Sequence, residues 1–264
     1  MTESKPSPNP DHAIQVQGIR KHFGHLEALR GVDFELKKGE FLSLFGPNGA
    51  GKTTLIGILS ALTRPSSGTA FVAGYDVKEA DPEMRREIGV ISHASFLYAD
   101  LSPLENIRFY ATMYGVDRVE ERAVEVIDEV GLKPRMHDRV RTFSRGMLQR
   151  LSIARAIVHN PSILFLDEPY TGLDQHASEI LKEQLQALHT DQRTILMTTH
   201  DFSRGLEMCD RVAVMVRGKL ALWETVGNID SAGFERQYLE TVEQAGQRNA
   251  GPNISSPLGG APTG

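Results

Sequence analysis

The sequence predicts an α/β protein with a mainly parallel sheet flanked by helices, an antiparallel β subdomain toward the N-terminal side and a helical insertion. Three observations carry this reading. Short apolar runs at 41–45, 162–167, 194–198 and 211–216 have strand length and alternate with segments of helical length, the pattern of a parallel sheet covered by helices. Ahead of them, 14–17 and 32–36 alternate apolar with polar residues, the period of half-buried strands. Between about Pro82 and Gly146 the pattern turns helical, clearest at 103–114 and 118–130.

Taken in order, residues 1–12 are polar and Pro-rich, and 244–264 are mostly Gly, Pro, Ser and Asn. Neither segment holds enough apolar surface to offset the entropy of ordering, so both are expected to be disordered around a single folded unit, 13–243. Lys38-Gly39 forms the turn into the apolar strand 41–45, a Gly-rich turn follows, and a helix is expected over 52–62 before Arg64-Pro65 stops it. A strand is expected at 88–92. In the second insertion helix, Val119, Ala123, Val126, Ile127 and Val130 recur at helical spacing, and Gly131 ends it. After Gly146 a helix runs to about His159, and the strand–helix alternation resumes.

A chain of 264 residues with 40% hydrophobic and 24% charged residues suits one globular domain with a subdomain. Its net charge of -5 argues against a nucleic-acid track as the main surface. Cys209, the single cysteine, cannot form an internal disulfide, which fits a reducing cytosol. No run approaches the roughly 20 apolar residues that cross a bilayer, and the N-terminus lacks a signal-like apolar segment. The chain is therefore expected to stay where it is made and to reach any membrane process through a partner.

Gly46-Pro47-Asn48-Gly49-Ala50-Gly51-Lys52-Thr53 matches the phosphate-loop pattern G-x-x-x-x-G-K-[ST], with an apolar strand before it and a helix after it. Small residues let successive backbone N–H groups curl around a polyphosphate, and the helix adds its positive N-terminal end. Lys52 is expected to reach the β- and γ-phosphates and the Thr53 hydroxyl to hold Mg²⁺, with Thr54 beside it in the binding set. The fold is thus that of a P-loop NTPase. The loop alone leaves ATP and GTP open.

A second apolar strand, 163–166, ends in Asp167-Glu168. Ligands sit beyond the carboxyl ends of parallel strands, which sets Asp167 near the metal held by Thr53 and leaves Glu168 to orient or deprotonate the attacking water.

Phe143-Ser144-Arg145-Gly146-Met147, shortly before that strand, resembles the L-S-G-G-Q signature of ABC-type ATPases. With Phe23, the phosphate loop, the acidic pair, Gly172-Leu173-Asp174 and His200 in the same order, the resemblance covers nearly the whole folded chain. It implies that Phe23 stacks on adenine and that the substrate is ATP. It also implies that Ser144, Arg145, Gly146 and Met147 clamp the γ-phosphate bound by a second copy or a related subunit. Asp174 would contact that subunit and His200 would sense the γ-phosphate beside Glu168.

Two positions depart from the family. His93 stands after strand 88–92, where the family has a Gln that touches Mg²⁺ and links to the transmembrane partner. A neutral imidazole can accept a hydrogen bond from metal-bound water, so His93 is a candidate for the metal set and for the coupling loop, with a pH sensitivity that Gln lacks. Arg145 replaces a Gly; it either adds a cation near the partner's γ-phosphate or points to solvent. The resemblance further implies a transmembrane permease docked along 95–106 and a peripheral position on the inner face of the cell membrane. Among bacterial export subunits the wording is similar to haem exporters of cytochrome c maturation and to drug or polysaccharide exporters. The rival is a soluble single-domain ABC ATPase of an iron–sulfur or protein-remodelling scaffold complex.

Overall fold

A computed structural model of the chain describes residues 8–92, 94–230 and 233–247. Two sheets organise it. The smaller is antiparallel, ordered β2-β1-β4-β5 and made of His12–Phe23 (β1), Leu26–Lys37 (β2), Ser67–Val72 (β4) and Tyr75–Asp76 (β5). The larger is ordered β10-β9-β3-β8-β7-β6. It contains Phe41–Phe45 (β3), Ile88–Ile91 (β6), Ile163–Asp167 (β7), Thr194–Thr198 (β8), Arg211–Val216 (β9) and Lys219–Thr225 (β10). All its pairings are parallel except β10 with β9.

Strand β3 shows how the layers form. Its side chains alternate faces: Leu42 and Leu44 enter the core shared with the antiparallel sheet, while Phe41 and Phe45 enter the core under the helical region. Helix α1 (Lys52–Leu59) fills the first core with Leu55, Ile58 and Leu59. The second core gathers Ile107 of α3 (Pro103–Met113), Ile127 of α4 (Val119–Glu129), Leu151 of α5 (Arg145–Ile157) and Leu185 of α6 (Gln175–Thr190). Helix α3 starts on a reciprocal cap: Ser102 Oγ accepts from Glu105 N at 3.2 Å, and Glu105 Oε2 accepts from Ser102 N at 2.7 Å. The bond from Ser102 N, with the Ser102 hydroxyl beside it, holds the Glu105 carboxyl below the usual range.

Several expectations need correction. The strand β6 pairs with β7 inside the main sheet, so the helical insertion begins after Ile91 and not at Pro82; α2 (Pro82–Arg86) only leads into that strand. Helix α1 ends at Leu59 rather than at 62. In β1, Ala13 through Val16 are all buried instead of alternating: Gln15, on the face opposite Ile14 and Val16, is covered where its Oε1 accepts from Asn9 N at 2.7 Å. Order extends beyond 13–243 on both sides. Asp11 accepts from Lys38 N, His12 opens β1, and a C-terminal helix α8 (Phe234–Gln247) follows α7 (Phe202–Glu207). Phe234 is fully buried against Phe45 and Phe202, which is why that helix stays on the body. Residues 1–7 and 248–264 lie outside the described residues.

Candidate active site

Three adjacent strands build the site. Leu44 of β3, Asp167 of β7 and Thr198 of β8 lie in register, so the loops after all three strands open at one edge of the sheet. The loop after β3 is the phosphate loop. Its glycines are steric requirements: a Cβ on Gly46 would stand 2.3 Å from the Met215 carbonyl oxygen, and one on Gly51, at φ +109°, 2.8 Å from the Ala28 oxygen. Gly51 caps α1 without a side-chain acceptor, and the first turn of α1 carries no acidic residue. The free N–H groups and positive end of this helix therefore face the cleft, ready for an anion.

Lys52 is 7% exposed and donates to the Gly46 carbonyl oxygen at 2.6 Å. Its ammonium also stands 3.6 Å from Glu168 Oε1. Glu168 adopts φ +53°, a left-handed conformation that costs a non-glycine residue on the order of 1 kcal/mol. Its backbone N–H is held by Thr198, whose hydroxyl also donates to Asp167 Oδ1 at 2.7 Å. The second Glu168 oxygen lies 2.7 Å from His200 Nδ1. The carboxylate is thus strung between a buried cation and an imidazole that is 73% exposed.

Lys52 and Glu168 face a cleft of about 750 Å³ that Pro47 through Thr54 and Phe23 also line. Phe23 is 52% exposed, so its ring is a wall of the cleft and not part of the core. The cleft also takes in Glu27 and Arg30 of β2 and Arg217 of the β9–β10 turn. Sequence reasoning missed these, since no local motif marks residues that only chain packing brings to a ligand wall.

Among the described residues no group of three His, Cys, Asp or Glu could hold a metal alone. The donors suit Mg²⁺ all the same. The exposed Thr53 hydroxyl and the buried Asp167 carboxylate supply hard oxygens, and phosphates and water complete such a shell. His93 lies outside the described residues.

The signature residues form a different concavity of about 360 Å³ with Gly172 and Asp174. Ser144 caps α5, its Oγ accepting from Met147 N at 3.3 Å, and Asp174 caps α6, accepting from Ala177 N at 2.8 Å. Gly146 is wedged against α6: a Cβ there would stand 2.9 Å from the Ala177 Cβ. The Arg145 side chain lies across Gly172, its Nη1 2.6 Å from where a Cβ would sit. Neither expectation for Arg145 described this packing onto the loop before α6. The structure therefore joins Phe23, 47–54 and Glu168 in one cleft and Ser144–Met147 with Asp174 in another.

Comparison with known proteins decides the family. The ABC transporter family's sequence profile matches residues 29–171, a span holding the phosphate loop, the signature and the acidic pair. The chain belongs to the ABC transporter family. It is 35% identical over 209 residues to the linearmycin resistance ATP-binding protein LnrL of Bacillus subtilis, covering 78% of this chain and 67% of that protein. It is 36% identical over 225 residues to the daunorubicin/doxorubicin resistance ATP-binding protein DrrA of Streptomyces peucetius, covering 84% and 68%. It superposes at TM-score 0.73 and 27% identity on an ATP-binding cassette solved as a dimer in a post-hydrolysis state with ADP and Pi, over 81% of this chain and 98% of that one. This chain is thus an ABC transporter ATP-binding subunit. The haem-export expectation finds no support in these relatives, which are named for antibiotic resistance.

Proposed function

We propose that this ABC subunit hydrolyses MgATP in a twofold dimer and so energises export of an antibiotic-like small molecule through a separate permease. One observation carries the reading: the phosphate loop, Lys52 and Glu168 converge on one cleft, with His200 against Glu168, while the signature lies in a second concavity of the same chain. A site completed by the signature of another copy uses both. Bound triphosphate competes with Glu168 for Lys52; the freed carboxylate then accepts a proton from the attacking water. His200 keeps the carboxylate aimed and lies beside the γ-phosphate. Thr53 and Asp167 would hold Mg²⁺, which would supply positive charge to neutralise the transferred phosphoryl group. Phe23 offers an aromatic face to the base, and stacking of this kind is worth about 1–3 kcal/mol.

Among the described residues no helix is long and apolar enough to cross a membrane, which supports a separate spanning partner. The names of LnrL and DrrA support an exported antibiotic. The loop after β6 and the exposed rings beside α3 are the proposed docking side, and a position on the inner membrane face follows from it.

Size exclusion of Glu168→Gln tests the dimer. The variant should elute as a dimer in saturating MgATP and as a monomer without it; a monomer in both conditions rejects the reading. Pull-down from membranes should recover a protein with several membrane-spanning helices, and recovery of only soluble scaffold proteins rejects the transport half.

A further inference from the structure

Arg155 is a buried cation that the hydrolytic machinery does not use. It sits near the end of α5, the helix that begins at the signature, and is only 8% exposed. Its Nη2 donates to the Val90 carbonyl oxygen of β6 at 2.5 Å, while its Nε has no hydrogen-bond partner among the described residues. Its guanidinium carbon lies 5.5 Å from the ring centres of both Phe96 and Tyr110. Burial pushes the guanidinium below its usual range.

The loop that Arg155 reaches is itself held in shape. Phe96 has φ +54°, an uncommon conformation for an aromatic residue, and its carbonyl oxygen accepts a short hydrogen bond from the Tyr110 hydroxyl. Two residues on, Tyr98 N donates to Asn106 Oδ1 at 2.8 Å and the Tyr98 oxygen accepts from Asn106 Nδ2 at 3.0 Å, with Asn106 fully buried. The rings of Tyr98, Phe109 and Tyr110 then touch edge to face in sequence, 5.2 Å apart at each step. Phe96, Tyr98 and Phe109 are each about half exposed. One guanidinium therefore ties the inner end of an exposed aromatic face to the signature helix and to β6.

We propose that Arg155 is a positioning residue that makes the signature helix and the 94–98 loop move as one body, so that dimer closure displaces the exposed face of Phe96, Tyr98 and Phe109. This rests on the dimer reading above. The Phe96 and Tyr110 rings and the Val90 carbonyl oxygen all contact the one guanidinium. Motion of α5 toward a partner's nucleotide is then passed to the loop and is not absorbed by side-chain rearrangement.

Hydrogen exchange in the Glu168→Gln background tests this. MgATP should change exchange at 46–54 and at 94–110 in the parent. In Arg155→Met the dimer and the change at 46–54 should persist, while the change at 94–110 falls roughly threefold or more, as loss of two cation–π contacts predicts. Phe96→Leu keeps the buried cation and alters only a half-exposed ring. It should lower the same change by a smaller factor, and it serves if Arg155→Met does not fold. An unchanged response at 94–110 in a dimeric variant overturns the proposal, as does equal loss at both segments, which marks general damage. Failure of the parent to dimerise in MgATP instead rejects the dimer reading and with it this inference.

Discussion

Two helix N-termini of this chain are finished differently. One starts at the left-handed Gly51 before α1 and the other at the extended Ser144 before α5. At the first, loop backbone, Lys52, Glu168 and Phe23 enclose a cleft. At the second, a capped helix end and Arg145 border a smaller concavity whose other wall is the loop before α6. The first gathers a loop, a lysine and a carboxylate within one chain, and the second is the surface proposed above to complete that cleft in another copy. A motif shows what a backbone segment can bind; only the surrounding elements show whether it does so alone.

Substitutions can break that comparison. The largest effect is expected for Glu168→Gln, which should lower ATP turnover by about 10²–10⁴-fold while leaving nucleotide affinity intact, since it removes only the proton acceptor. Steady-state ATPase rates together with nucleotide titration check this. Lys52→Ala should lower turnover about 10²–10³-fold and also weaken ATP binding, because it removes a buried charge facing the phosphates. Near-normal affinity in that variant would contradict the role given to Lys52.

Ser144→Ala separates capping from phosphate contact. Loss of the cap should cost about 1 kcal/mol and lower the melting temperature by about 2–4 °C. MgATP-driven dimerisation should fall far more than that small loss explains, whereas ATP binding to the monomer stays unchanged. Calorimetry and size exclusion on one preparation decide between the two contributions.

The smallest effect on turnover is expected at the far end of the signature helix, where the change is in stability. Burial and the stacked Tyr114 ring, 3.8 Å away, surround His159, and desolvation holds its pKa down to about 4 from 6.5. Below pH 6.5 the unfolded chain binds a proton that the folded chain refuses, so stability should fall as pH drops from about 6.5 toward 4 and stay level above that window. The shift corresponds to at most about 3 kcal/mol. Thermal melts of wild type and His159→Gln across this range should converge as pH falls.

Much of this was legible in the residues. The strands 41–45, 194–198 and 211–216 were readable to the residue, because short apolar runs between helices have few other uses. The phosphate loop and acidic pair were equally readable, since each acts through neighbours in sequence. The first strand was misjudged because Gln15 is buried by a hydrogen bond to Asn9 that no periodicity reveals. The insertion was started too early because α2 is a short helix standing before a core strand. Helix α8 was missed because its anchor, Phe234, is explained only by the Phe45 and Phe202 rings it meets.

By itself, then, the sequence determined the alternating core, the anion cradle and the carboxylates at a strand end, all of which rest on local backbone geometry and residue chemistry. Tertiary structure decided the rest. It set Glu168 between Lys52 and His200, turned Phe23 outward and laid Arg145 across Gly172. It also put the signature in a concavity apart from the phosphate loop and buried Arg155 beside the Phe96 and Tyr110 rings. These placements depend on strand register and helix packing between residues far apart in the chain, and no short stretch of sequence encodes such distances.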